Sequence, residues 1–95
     1  MLYVIHAYDF TDEQAHHRRM AVRERHIAGA KLLKSNGNFV LGGALLDLDG
    51  KMIGSMMLVD FEEEAQLHHW LENDPYVTGN VWDKIDVKPF KMANI

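Results

Sequence analysis

Ninety-five residues, 47% hydrophobic and 25% charged, suit one globular domain over 1–95 and leave little room for a second. The absence of cysteine excludes a disulfide framework and a thiolate metal site, and a net charge of −4 with histidine neutral argues against general nucleic-acid binding. No apolar run approaches the roughly 20 residues that span a bilayer, and no basic stretch leads into an apolar one at the N-terminus, so the expectation is a cytoplasmic protein with neither membrane nor nucleic acid as a partner.

Leu2 to Tyr8 reads as a first strand, with β-branched or aromatic residues at most positions. Thr11 offers a helix N-cap and Gln14 completes a Thr-x-x-Gln capping box, so the first helix is predicted from Asp12 to Ser35. Asn36-Gly37-Asn38 supplies its stop. A second strand follows over Phe39 to Leu46, and Asp47-Leu48-Asp49-Gly50 has hairpin chemistry leading into a third strand over Met52 to Val59. Asp60 and Glu63 form a second capping box that opens a helix over Phe61 to Glu72. Asp74-Pro75 closes that helix, because a residue before proline is pushed out of the α region. After a short loop or single turn, Val81 to Val87 forms the last strand, and Pro89 limits further pairing.

The order βαββαβ specifies an α+β, ferredoxin-like fold: a four-stranded antiparallel sheet with two helices on one face. The first strand alternates Leu2, Val4, His6 and Tyr8 against Tyr3, Ile5 and Ala7, and the third alternates Met52, Gly54, Met56 and Leu58 against Ile53, Ser55, Met57 and Val59. Both faces are largely apolar, whereas a monomer with one wetted face alternates apolar with polar. The helices cover one face. A second copy of the chain is the expected cover for the other, so a homodimer or larger assembly is expected.

The first helix carries the unusual residues. Arg18, Arg19, Arg23 and Arg25 crowd into eight positions beside His16, His17 and His26. His26, Ala30 and Leu33 share one helix face at i, i+4 and i+7, with Arg23 and Arg19 extending the stripe. A histidine on a half-buried stripe beside an arginine is a candidate general acid or base; the plainer alternative is a core-edge histidine bonded to a backbone carbonyl. Arg23 is the arginine best placed for a pocket and for holding an anion, while Arg18 and Arg25 suit surface pairs. Asp74, placed before Pro75, is a natural N-cap; its alternative role is to accept a hydrogen bond from His26 and fix the tautomer. His16-His17 and His68-His69 are neighbours pointing about 100° apart, a poor geometry for a shared metal, and three of the four read as surface. Gly42-Gly43 and Gly54-Ser55 strip bulk from mid-strand, for a ligand's approach or for tight packing.

In this order and spacing, Met1-Leu2-Tyr3-Val4-Ile5, Val22-Arg23-x-x-His26, Gly54-Ser55, Asp74-Pro75-Tyr76-Val77 and Val87-Lys88-Pro89-Phe90-Lys91 resemble the YciI-like (YCII-related) family over nearly the whole chain. The resemblance implies a ferredoxin-like subunit that dimerises as an α+β barrel, and a His–Asp centre that falls on His26 and Asp74. A related member type is a dehydrochlorinase of a chlorinated hydroxyquinol, and similar barrels host muconolactone isomerases; neither chemistry needs a cofactor. The short hairpin Asp47 to Lys51 departs from many relatives. The expectation is therefore a cofactor-independent, metal-free, lyase- or isomerase-like enzyme for a small anionic or aromatic-derived molecule. His26 would act as acid or base, Asp74 would orient it, Arg23 would hold an anionic group, and Ser55 and Tyr76 would line the pocket. A non-catalytic small-molecule-binding or accessory domain is the alternative, and a haem-binding barrel with His26 on iron is a third.

Overall fold

The computed structural model describes residues 1–95. Four strands, β1 (Leu2–Asp9), β2 (Phe39–Leu46), β3 (Met52–Asp60) and β4 (Trp82–Phe90), form one sheet in the order β2-β3-β1-β4, and all neighbours are antiparallel. Between them run α1 (Ala15–Ser35), α2 (Glu64–Glu72) and a single turn, α3 (Pro75–Thr78). This is the ferredoxin-like arrangement, the subunit fold of dimeric α+β barrels.

Register assigns the two faces. Rows Phe39–Val59–Tyr3–Pro89, Gly42–Met57–Ile5–Val87 and Ala44–Ser55–Ala7–Ile85 run across the sheet on the helix side. Their central members Tyr3, Ile5, Ala7, Ser55, Met57 and Val59 are buried, under Val22, Leu33, Phe61, Leu67, Leu71 and Tyr76 from the helical layer. The open face carries the rows Leu41–Leu58–Val4–Lys88, Gly43–Met56–His6–Asp86 and Leu45–Gly54–Tyr8–Lys84. It is apolar across β2, β3 and most of β1, as the strand faces predict, but β4 adds a charged border. The two edges differ for the same reason: β4 is blunted by Asp83, Lys84, Asp86 and Lys88, whereas Phe39–Leu46 carries no charge.

Both capping boxes expected from the sequence fail to form, and each for a competing bond. α1 begins at Ala15, with Gln14 at the N-cap and no side-chain cap. Asp12 organises the entry instead, its carboxylate accepting from the Gln14 N–H at 3.1 Å and from Arg18 Nη1 and Nη2 at 2.8 Å each. Asp60 remains in β3, paired across from Leu2, and its side chain accepts from the Met1 amino group at 2.9 Å. The box at α2 is formed three residues later by Glu63 and Gln66. The last strand also runs past its expected end: Pro89 pairs opposite Tyr3, tolerated because β4 is an edge strand.

Gly54 shows why mid-strand bulk is missing. A Cβ there would lie 2.5 Å from the Ala7 carbonyl oxygen, so β3 and β1 approach this closely only around glycine.

Candidate active site

The helical stripe of α1 meets the helix side of β2 and β3 around a small, partly open pocket of about 100 Å³. Arg19, Arg23, His26 and Ala30 line it from α1, Ser55 and Met57 from β3, and Tyr76 from α3. The spacing i, i+4, i+7 and i+11 brings the four helical residues to one face. Gly42 completes the β2 wall; a Cβ on it would stand 2.9 Å from the Met56 carbonyl oxygen and 3.1 Å from the Phe39 ring, so side-chain bulk is excluded there by packing.

His26 and Asp74, 48 residues apart in sequence, meet at 2.8 Å between Nδ1 and Oδ2. Both are buried, with 7% and 3% of their surface exposed. An ionised carboxylate can only accept, so Nδ1 donates to it, and in the neutral tautomer Nε2 keeps its lone pair. His26 lines the pocket and Asp74 does not, so the carboxylate meets the imidazole from outside the lining. The same Oδ2 accepts from the Tyr76 backbone N–H at 2.9 Å, and Pro75 occupies the first helical position. Asp74 is therefore an N-cap and a partner of His26 at once. The cap fixes the carboxylate, and the carboxylate fixes the ring. Tyr76 continues the clamp, its ring stacked on His26 with centroids 3.8 Å apart and planes 14° from parallel, while Trp82 meets His26 edge-on at 5.7 Å. Burial pushes the Tyr76 phenol above its usual range, so it stays neutral across physiological pH.

A second buried pair flanks the first. Arg19, 2% exposed, donates from Nη1 to both oxygens of Asp9 at 2.9 and 3.0 Å, and from Nη2 to Ser55 Oγ at 2.9 Å. The Trp82 indole N–H donates to the same Ser55 oxygen at 3.2 Å. The Arg19 guanidinium carbon lies 4.7 Å from the Tyr76 ring centre, so cation, phenol ring and imidazole form one packed column. Burial raises the Asp9 carboxyl above the ordinary carboxylate range, against the opposing pull of Arg19.

The structure thus brings together His26, Asp74, Arg23, Ser55 and Tyr76, all five residues singled out from the sequence. Arg23 is half-buried at the pocket wall. Arg18 and Arg25 lie on the surface side as expected, and His17, His68 and His69 are exposed while His16 is half-buried. Sequence reasoning missed Asp9 and Trp82, and placed Arg19 on the stripe without giving it a role. Arg19 carried a signal in its place on the His26 stripe, four residues before Arg23, and Asp9 in its place after Tyr3, Ile5 and Ala7 on the buried row of β1. Trp82 carried none. No three His, Cys, Asp or Glu residues gather in a group that could hold a metal ion, and no helix is long and apolar enough to cross a membrane.

Comparison with known proteins adds an independent line. The chain matches the YCII-related domain family over residues 1–91. It is 34% identical to protein YciI of Escherichia coli O6:H1, covering 98% of this chain and 99% of the relative, and 33% identical to an uncharacterized protein of Haemophilus influenzae with the same coverage. Among solved structures it is similar to 5-chloro-2-hydroxyhydroquinone dehydrochlorinase of Burkholderia phenoliruptrix AC1100, determined with 2,5-dihydroxybenzoquinone. That likeness has a TM-score of 0.86 at 24% identity and covers 98% of this chain and 96% of the other.

Proposed function

Because the chain belongs to the YCII-related family, we propose that the pocket beside His26 is the active site of a cofactor-independent enzyme that moves a proton on a small molecule, in a lyase- or isomerase-like reaction. The observation that carries this is the 2.8 Å contact between His26 Nδ1 and a carboxylate that is itself tied to the backbone. It leaves the other ring nitrogen, Nε2, without a protein partner, on a residue that lines the cavity. Nε2 takes a proton from the substrate or returns one to it, and Asp74 stabilises the imidazolium formed in between. Arg23, half-buried at the wall, supplies a positive charge for an anionic group, and Tyr76 fixes the plane of the imidazole. The walls Phe39, Met57 and Tyr76 suit the flat apolar face of a small ring.

The test is turnover against a panel of hydroxylated and halogenated ring compounds, including the substrate class named for the dehydrochlorinase. Wild type should convert at least one, and His26→Ala should lose about a hundredfold or more of that rate. Unchanged turnover in His26→Ala removes the role. Tight retention of a ligand with no turnover in wild type favours a binding domain instead.

We also propose that a second copy covers the apolar part of the open face. Leu41, 47% exposed, and Tyr8, 48% exposed, flank half-buried Val4 and Met56 there. Sedimentation equilibrium is expected to give at least twice the 10.9 kDa chain mass, and Val4→Lys is expected to shift it toward one copy.

A further inference from the structure

The Ser55 hydroxyl is in an unusual position for a residue 3% exposed. A serine oxygen has two lone pairs and one proton. Both lone pairs are taken, one by the Arg19 Nη2–H at 2.9 Å and one by the Trp82 indole N–H at 3.2 Å. Neither bond uses the proton. With its acceptor positions filled by fixed donors, the hydroxyl can act only as a donor, and Ser55 is part of the pocket wall. Accepting from a guanidinium also polarises the O–H and strengthens the bond it gives.

Arg19 is set in the same way. Its Nη1 donates to both Asp9 oxygens and its Nη2 to Ser55, while its buried Nε–H has no partner. Nε–H and one Nη2–H share an edge of the planar guanidinium, so the unmet donor belongs to the same side chain that holds Ser55. A buried, unmet N–H costs free energy until an acceptor reaches it. Arg19 too lines the pocket, on the same helix as His26.

We propose that Ser55 Oγ–H and Arg19 Nε–H form an oxyanion-binding pair, and that the substrate class is one in which an oxygen on a planar carbon gains negative charge as His26 acts. This rests on reading the pocket as an active site. When Nε2 of His26 removes a proton from a carbon next to a carbonyl, the C–H electron pair moves toward the carbonyl oxygen and an enolate forms. Removal of a proton from a ring hydroxyl leaves a phenolate in the same way. In both cases the proton rests on His26, the negative charge rests on oxygen, and the two donors meet it. Asp9 and Trp82 are positioning residues: they hold Arg19 and Ser55 and touch no ligand.

The experiment uses 4-nitrophenol, whose phenolate is read by its absorbance, with 4-nitroanisole as a probe of the same shape that cannot ionise. Wild type is expected to bind the phenolate better than the phenol or the anisole, lowering the apparent pKa of the bound probe. Ser55→Ala should weaken the phenolate about tenfold and leave the anisole unchanged. Trp82→Phe removes only one donor to Ser55, frees the hydroxyl to turn, and should cost a few-fold; circular dichroism identifies which variants are folded. His26→Gln separates the two readings: it should abolish turnover while the phenolate preference survives. Equal binding of phenolate and anisole by wild type, no binding of the phenolate, or full phenolate preference in a folded Ser55→Ala overturns the proposal.

Discussion

Arg18 and Arg19 are neighbours on one helix, each paired to an aspartate just before it, and the two pairs have opposite roles. Arg18 holds Asp12 with two bonds of 2.8 Å in open solvent, side chains 31% and 50% exposed. Arg19 holds Asp9 at 2.9 Å with side chains 3% and 5% exposed. Solvent makes the first pair a local tie: it replaces a helix cap at the start of α1 and joins that turn to the Asn80 carbonyl through Arg18 Nε. Exclusion of solvent makes the second a fixed charge arrangement that orients Ser55, stacks on Tyr76 and thereby touches the His26–Asp74 centre. Identical chemistry one residue apart serves entry to the helix in one case and the pocket in the other. Burial decides which.

The largest expected effect breaks the buried member. Arg19→Ala leaves the Asp9 carboxylate uncompensated and is expected to cost about 3–5 kcal/mol in urea unfolding. Asp9→Ala combined with Arg19→Ala should recover part of that loss, because the orphaned charge is gone. A cost in Arg19→Ala as small as that of an exposed pair would dissolve the contrast. The smallest expected effect lies at the surface: Arg18→Ala should leave turnover unchanged and lower Tm only slightly.

Acid sharpens the comparison because the two aspartates respond with opposite sign. The Arg18 guanidinium holds Asp12 down at about 2, from an ordinary 3.8. Its contribution is therefore complete above 3.8 and is lost as pH falls through about 2, where the stability difference between wild type and Arg18→Ala should vanish. Asp9 is raised above 3.8 by burial, so its charge is a cost to the folded chain at neutral pH that lessens as pH falls toward 3.8. Urea midpoints of wild type, Arg18→Ala and Asp9→Asn between pH 2 and 6 check both slopes. Parallel curves would contradict the assignment.

Much of the site was legible because it is helical. A period near 3.6 puts Arg19, Arg23, His26 and Ala30 on one stripe whatever the rest of the chain does, and Asp74-Pro75 marks a cap from two residues alone. The topology followed from element order and the hairpin at Asp47–Gly50. Harder to read were choices between competing partners. Thr11 and Asp60 both sit where capping boxes form, yet Asp12 captures Arg18 and Asp60 is held by the N-terminal amine, contacts that no local pattern encodes. Arg19 looked like one arginine among four because its burial depends on Asp9 reaching it from β1, and Ser55 looked like a small residue because its donors come from α1 and from Trp82 on β4. Trp82 reaches Ser55 and His26 only because β4 pairs beside β1, a long-range outcome.

The central claim is that Asp74 fixes His26 with Nδ1 protonated and Nε2 available to a ligand. Nitrogen chemical shifts of the His26 ring, recorded by NMR in the neutral state, test it directly. The account predicts a protonated, pyrrole-type Nδ1 and an unprotonated, pyridine-type Nε2 in wild type, with that preference lost in Asp74→Ala. A proton on Nε2 in the wild-type protein would contradict it.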